Sequence, residues 1–202
     1  MPQEHYFSNE PAGEIKTKTI SVNLAGREVS VLTSGSMFSP DHVDTGTKVL
    51  LEHLELAPEV GNILDIGCGW GPITLALAIA RPEATIWAID VNERALELTR
   101  KNAERLGLAN VRTALPEAVP AEISFNGIWS NPPIRVGKEV LHGIMQTWLP
   151  RMVIGGDAYL VVQKHLGSDS LLKWLQDTMT SFDSSRLDTA KTFRVFQVTR
   201  EG

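Results

Sequence analysis

The amino-acid sequence predicts an α/β protein: a doubly wound, mostly parallel sheet with helices on both faces, an antiparallel edge strand and an N-terminal β-hairpin extension. Three observations carry that expectation. From residue 62 onward, short apolar runs alternate with segments of helical apolar spacing, the pattern of repeated βα units. The stretch Asn62-Ile63-Leu64-Asp65-Ile66-Gly67-Cys68-Gly69-Trp70-Gly71-Pro72 joins a strand to a helix through glycines at alternate positions. The run Tyr159-Leu160-Val161-Val162 is apolar without a break, which suits a central strand covered on both faces.

Residues 1–36 read as an N-terminal extension and residues 37–202 as the main domain. Thr19-Ile20-Ser21-Val22-Asn23-Leu24 and Glu28-Val29-Ser30-Val31-Leu32 both alternate, with Ala25-Gly26-Arg27 as a short hairpin connection. His5 and Tyr6 belong either to a frayed terminus or to a substrate lip. Ser36 to His42 is turn-like, and Asp44 is placed to N-cap a helix running through Val49-Leu50-Leu51-Glu52-His53-Leu54. The repeat then reads as strand 62–66, helix 71–80, strand 84–90, helix 92–106, strand 110–114, strand 125–130 and helix 136–148. Strand 156–164, opened by Gly155-Gly156, helix 168–179 and strand 192–199 complete it. Arg81-Pro82 and Gly107 are the expected helix stops. Phe193 to Val198 alternates, as an antiparallel edge hairpin would.

At 202 residues the chain is long enough to bury about 70% of its unfolded surface without staples. Apolar content of 43% and charged content of 21% are those of an ordinary soluble globule. The single Cys68 excludes an internal disulfide and a multi-cysteine zinc site, so no metal is expected, and it reads as filling space in its loop. No run approaches the ~20 apolar residues of a membrane span. Met1-Pro2-Gln3-Glu4-His5 lacks the form of a signal peptide, so a cytoplasmic address without membrane contact is expected. The net charge of −5 argues against a broad nucleic-acid grip and leaves room for a local basic patch.

Gly67, Gly69 and Gly71 lack a Cβ, so the loop can take positive φ and approach a bound molecule closely. Its N–H groups are expected to point outward at the start of the next helix, where the dipole favours negative charge. A dinucleotide site wants G-x-G-x-x-G, whereas this chain has G-x-G-x-G preceded by Asp65, which disfavours an oxidoreductase. Asp90 ends the next apolar run and lies 21 residues after Gly69 (90 − 69), near the roughly 20-residue offset at which an acid meets ribose hydroxyls. The pattern resembles motif I of the Rossmann-like class I S-adenosylmethionine (SAM) methyltransferases. That resemblance implies SAM as cofactor, with Asp65 near the methionine ammonium and Asp90 on the ribose. It implies further contacts from Gly67, Cys68, Gly69, Gly71, Val91, Leu115 and Asn131. An ordinary βα turn whose glycines serve packing alone is the competing reading.

Ser130-Asn131-Pro132-Pro133-Ile134 follows the fourth strand of the repeat. Asn131 and Pro132 each precede a proline and are pushed into extended conformations, and neither proline has an N–H to donate. The Asn131 side-chain oxygen and the Pro132 carbonyl are thereby available to accept both N–H groups of a planar exocyclic amine. Such an amine is a poor nucleophile because its lone pair is delocalised, and two acceptors orient it without metal or prior deprotonation. The segment resembles the N-P-P-[YFW] motif IV of amino methyltransferases acting on adenine, guanine N2 or glutamine amides, which implies Asn131, Pro132 and Pro133 as the catalytic set. Upstream, the M-F-S-x-x-x-x-D-x-G-T of residues 37–47 resembles the segment before motif I in the ribosomal RNA guanine-N2 methyltransferases. Across about 38–165 the chain looks like that small-domain family, as a single catalytic domain without the extra pseudo-methyltransferase domain of two-domain members.

Three positions depart from the family. Ile134 replaces the aromatic residue that stacks on the target base, leaving stacking to Phe38 or to aliphatic contact. Asn126 stands where the family often has Asp, and Thr113-Ala114-Leu115-Pro116 lacks the acid that contacts the cofactor's adenine amino group. Phe38, Ile134, Arg135 and Lys138 are the candidate substrate contacts, and His142, Lys164 and His165 extend a basic rim. The expected function is N-methylation of an exocyclic amine of RNA, foremost guanine N2 of ribosomal RNA, with RNA as partner. The same chemistry on DNA adenine, a protein glutamine or a small amine stands as the alternative, and a non-catalytic SAM- or RNA-binding module as another class.

Overall fold

A computed structural model describes residues 16–35, 37, 39–132 and 137–202. Strands β1 (Thr17–Leu24) and β2 (Arg27–Ser34) pair antiparallel in a two-stranded sheet of their own. Their connection is two residues, Ala25 and Gly26, with φ of 50° and 76°, so it closes one residue sooner than expected, as a turn matched to the strands' twist. Helix α1 (Thr45–Leu51) follows, capped by Asp44, and then the repeat: β3 (Gly61–Ile66), α2 (Pro72–Ala80), β4 (Ala84–Ile89), α3 (Glu93–Arg105), β5 (Val111–Ala114) and β6 (Phe125–Ser130). Helix α4 (Lys138–Trp148), β7 (Met152–Gln163), α5 (Ser168–Thr178), β8 (Phe182–Ala190) and β9 (Phe193–Arg200) complete the chain.

The main sheet has seven strands in the order β5-β4-β3-β6-β7-β9-β8, parallel from β5 to β7 and antiparallel at β9 and β8. Alternation along each strand feeds two cores. Leu64, Ile128, Leu160 and Phe196 face α4 and α5, packing on Leu141, Met145, Leu171 and Leu175. Ile63, Trp129, Tyr159 and Val195 face the other way, onto Val49 and Leu50 of α1 and Ile73 and Leu77 of α2. The hairpin closes a third core, with Leu24 and Val31 against Leu75, Ala95 and Leu98. Strand order reverses between β3 and β6, the two neighbours at the centre. In a doubly wound sheet the ligand crevice opens beyond the carboxyl ends of such a pair.

Two strands differ from expectation. β7 begins at Met152, four residues ahead of 156 (156 − 152), because Gly155-Gly156 belongs to a bulge. Phe125 pairs with Met152 and Gly127 with Asp157, so extra β7 residues bulge between them. Gly155 has φ 76°, and a Cβ on Gly156 would meet the backbone oxygens of Val153 at 3.0 Å and Asn126 at 3.2 Å. The final hairpin has β9 inside the sheet, and its outer strand is β8, a segment without an apolar pattern. Charged and polar side chains on an outer strand discourage pairing with another chain.

Candidate active site

The glycine loop lies between β3 and α2, at the carboxyl end of the sheet. Gly67, Gly69 and Gly71 all have positive φ, at 78°, 59° and 98°. Their reasons differ. A Cβ on Gly67 or Gly69 would meet nothing within 4 Å, so these two leave a surface free of side chains, whereas one on Gly71 would lie 3.0 Å from Thr99 Oγ1. The expectation that the loop amides point outward is corrected. The N–H groups of Gly67 and Cys68 donate to Ile89 O at 2.8 and 3.0 Å, that of Gly69 to Asp90 Oδ2 at 3.0 Å, and that of Gly71 to Cys68 O at 2.9 Å. The end of β4 and Asp90 just past it take the first three donors, and the loop itself takes the fourth, which together fix its shape. Cys68 is buried against Ala88, Leu96 and Leu115, and burial pushes its thiol well above the ordinary range.

Asp65 is completely buried at the end of β3. Its Oδ2 accepts from the Thr74 N–H at 3.0 Å and Thr74 Oγ1 at 2.5 Å, so a strand residue caps α2, whose own cap position is Gly71. Asp65 Oδ1 meets no donor among the described residues. Burial raises the carboxyl from 3.8 to about 7, against the lowering effect of the Thr74 hydrogen bonds. A buried acid with one unpartnered oxygen beside a side-chain-free loop suits the ammonium of an amino-acid-type ligand, so the residues present fit SAM. Asp90, just past β4, is half-buried and raised by that burial. Its Oδ1 accepts from the Asn92 N–H at 2.9 Å and its Oδ2 from Gly69, which aims the carboxylate along the loop. Val91 beside it is exposed, and half-buried Leu115 packs beside Cys68 from the end of β5.

Asn131 sits one residue beyond β6, next to β3, where Ser130 Oγ donates to Ile66 O at 2.8 Å. Its Nδ2 donates to Asp44 Oδ2 at 3.0 Å and to Thr47 Oγ1 at 3.1 Å. A carboxylate only accepts, so the amide nitrogen must face Asp44, and Oδ1 is turned away with no donor among the described residues. Pro132 is buried beside it. Lys138, at the start of α4, is exposed. Phe38, Pro133, Ile134 and Arg135 lie outside the described residues, as do His5 and Tyr6. The fold brings Asp65, Gly67, Gly69, Asp90 and Asn131 to the switch point. Asn126 stands at the opposite end of β6, where its Oδ1 accepts the Asn62 N–H at 3.0 Å, so that departure from the family is remote from the site. Sequence reasoning missed Thr74 and the contact of Asp44 with Asn131, since it read Asp44 as a helix cap and as part of the D-x-G-T resemblance.

A family model described as methyltransferase small domain matches residues 28–197. The chain belongs to that family. The expected enzyme class and cofactor, a SAM-dependent methyltransferase, are borne out by this membership. The domain is 39% identical over 178 residues to the uncharacterized protein YbxB of Bacillus subtilis (strain 168), covering 86% of this chain and 88% of that one. It is 30% identical over 165 residues to ribosomal RNA small subunit methyltransferase C of Shewanella sediminis (strain HAW-EB3), covering 79% of this chain and 47% of that protein. Among solved structures it resembles the T. thermophilus 16S rRNA N2 G1207 methyltransferase (RsmC) in complex with AdoMet and guanosine. The TM-score is 0.78 at 25% identity, over 96% of this chain and 52% of that one. The methyltransferase small domain thus spans about half the length of these methyltransferase C relatives.

Proposed function

We propose that this methyltransferase small domain methylates the exocyclic N2 amine of a guanine in ribosomal RNA. The observation that carries the reading is Asn131 at the end of β6, its amide nitrogen held by Asp44 and Thr47 and its oxygen left as an acceptor. Relatives that bear the name ribosomal RNA small subunit methyltransferase C, and the guanosine-bound neighbour, favour guanine among the possible acceptors. SAM would lie against Asp65, Gly67, Gly69 and Asp90 and supply an electrophilic methyl group. Asn131 Oδ1 and the Pro132 carbonyl would accept the two amine N–H groups, which localises the lone pair on the nitrogen, normal to the ring plane, and orients it, the surplus proton of the methylated amine passing to solvent. Leu115 and Cys68 contribute the apolar side of the cofactor site, with Val91 at its rim.

RNA is the partner, and the rim around Asn131 has the charge to meet its backbone. Lys164 N–H donates to Thr192 O, so the end of β7 and the β8–β9 turn sit side by side at the same end of the sheet as Asn131. Lys138, Lys164, His165 and Lys191 are exposed there, with Lys48 on α1, and among the described residues none of the four lysines forms an ion pair. A ribosomal RNA partner agrees with the cytoplasmic address expected from the sequence.

Asn131→Ala tests the reading. Loss of one preorganised partner costs on the order of 10²–10³ in turnover. Methyl transfer to protein-free small-subunit ribosomal RNA is expected to fall by that factor, while SAM affinity by calorimetry stays within twofold. Unchanged turnover in folded protein would remove Asn131 from the chemistry.

A further inference from the structure

The acceptor at Asn131 depends on which way round its amide sits. An Asn side chain is nearly symmetric in shape, and a half-turn exchanges a donor for an acceptor. Two contacts hold the amide, one from the N-cap and one from the first turn of α1; the carboxylate, which only accepts, decides the orientation, and the Thr47 hydroxyl adds a second partner. Asp44 Oδ2 takes the Asn131 Nδ2 at 3.0 Å, and the same oxygen accepts the Gly46 N–H at 2.9 Å and the Thr47 N–H at 3.3 Å. Thr47 Oγ1 lies 3.1 Å from the same nitrogen, and Thr47 is buried. The flipped amide would set its oxygen against a carboxylate, two acceptors in contact. Gly46 is part of the same device, since a Cβ there would lie 2.8 Å from the Phe193 ring and 3.1 Å from Asp44 Oδ2.

From this geometry we propose that Asp44 and Thr47 are positioning residues for the methyl-transfer site, a clamp that locks the Asn131 amide with its oxygen toward the acceptor amine. The inference rests on the reading of Asn131 given above. It unites the Asp, Gly and Thr of the D-x-G-T segment in a single role. The Asp fixes polarity, the Gly admits the close approach to β9, and the Thr supplies the second acceptor. Asp44 also caps α1, so a simple deletion would confound fold with function. Two substitutions avoid that. Asp44→Ser keeps a good N-cap but is too short to reach Asn131. Thr47→Val keeps the shape and removes the oxygen.

The test is a double-mutant cycle on the full chain, with labelled SAM and protein-free small-subunit ribosomal RNA. Asp44→Ser and Thr47→Val are each expected to lower kcat by about tenfold, the loss of one hydrogen bond to an active-site group. The dissociation constant for SAM stays within twofold. In an Asn131→Ala background the same two substitutions are expected to cost nothing further, because there is no amide left to orient. Two results overturn the clamp: full kcat in both single variants while Asn131→Ala is slow, or equal losses in the presence and absence of Asn131, which would mean that the pair acts through the fold. Full turnover by Asn131→Ala itself would instead sink the functional reading and the clamp with it. Should Asp44→Ser fail to fold, the Thr47→Val arm of the cycle decides alone.

Discussion

Asp65 concentrates the electrostatic cost of the site in one carboxyl. It is wholly buried, bonded on one oxygen to Thr74 and, among the described residues, bare on the other. With its folded-state value raised from 3.8 to about 7, the folded protein holds a proton between those values that the unfolded chain has released. Stability is therefore expected to fall as pH rises through that window and to level off above about 7, and Asp65→Asn removes the slope, as denaturant titrations across pH will show. Cofactor binding has the opposite sign. An ammonium ion pairs with the ionised acid, so SAM affinity weakens by about tenfold per pH unit below about 7 and levels off above it until the ammonium itself titrates. Calorimetry between those limits on the wild type and Asp65→Asn checks this. Asp90 is raised too, so a slope that survives in the variant would assign the linkage to Asp90.

At the scale of elements, the hairpin and the glycine loop are joined by one side chain. Asn102 of α3 is buried; its Oδ1 accepts the Leu32 N–H at 2.6 Å, and its Nδ2 donates to Leu32 O and Trp70 O, each at 2.9 Å. Asn102→Ala orphans the edge of β2 and the loop carbonyl together. A loss of roughly 2–3 kcal/mol is expected, read as a melting temperature lower by roughly 5–10 °C. Strands such as β3 and β4 were legible in sequence because burial on both faces leaves an apolar run of definite length. The β8 strand was illegible because an outer strand needs neither an apolar run nor a clean alternation, and Asp183, Arg186 and Asp188 mask it. The β7 bulge hid behind Gly155-Gly156, which marks a strand start as readily as a kink. Asp65, Asp90 and Asn131 were legible through motif spacing. The bond between Asp44 and Asn131, 87 residues apart, arises where α1 packs on β7 and β9, and no local pattern contains it.

For the whole molecule, a net charge of −5 and an RNA substrate are compatible because Lys138, Lys164 and Lys191 gather at one end of the sheet. Binding of RNA is expected to weaken with salt, and replacing any of these three lysines by Ala should lower the log–log salt slope by about one for each phosphate no longer neutralised. SAM affinity should not move in these variants. A slope unchanged by all three would place the RNA on another surface. The central claim is that the acceptor is guanine N2, and the measurement that meets it most directly is the identity of the product nucleoside. Small-subunit ribosomal RNA incubated with the protein and labelled SAM, digested to nucleosides and resolved by mass spectrometry, is expected to carry the label in N2-methylguanosine. Label in N6-methyladenosine, or in protein with none in RNA, would contradict it.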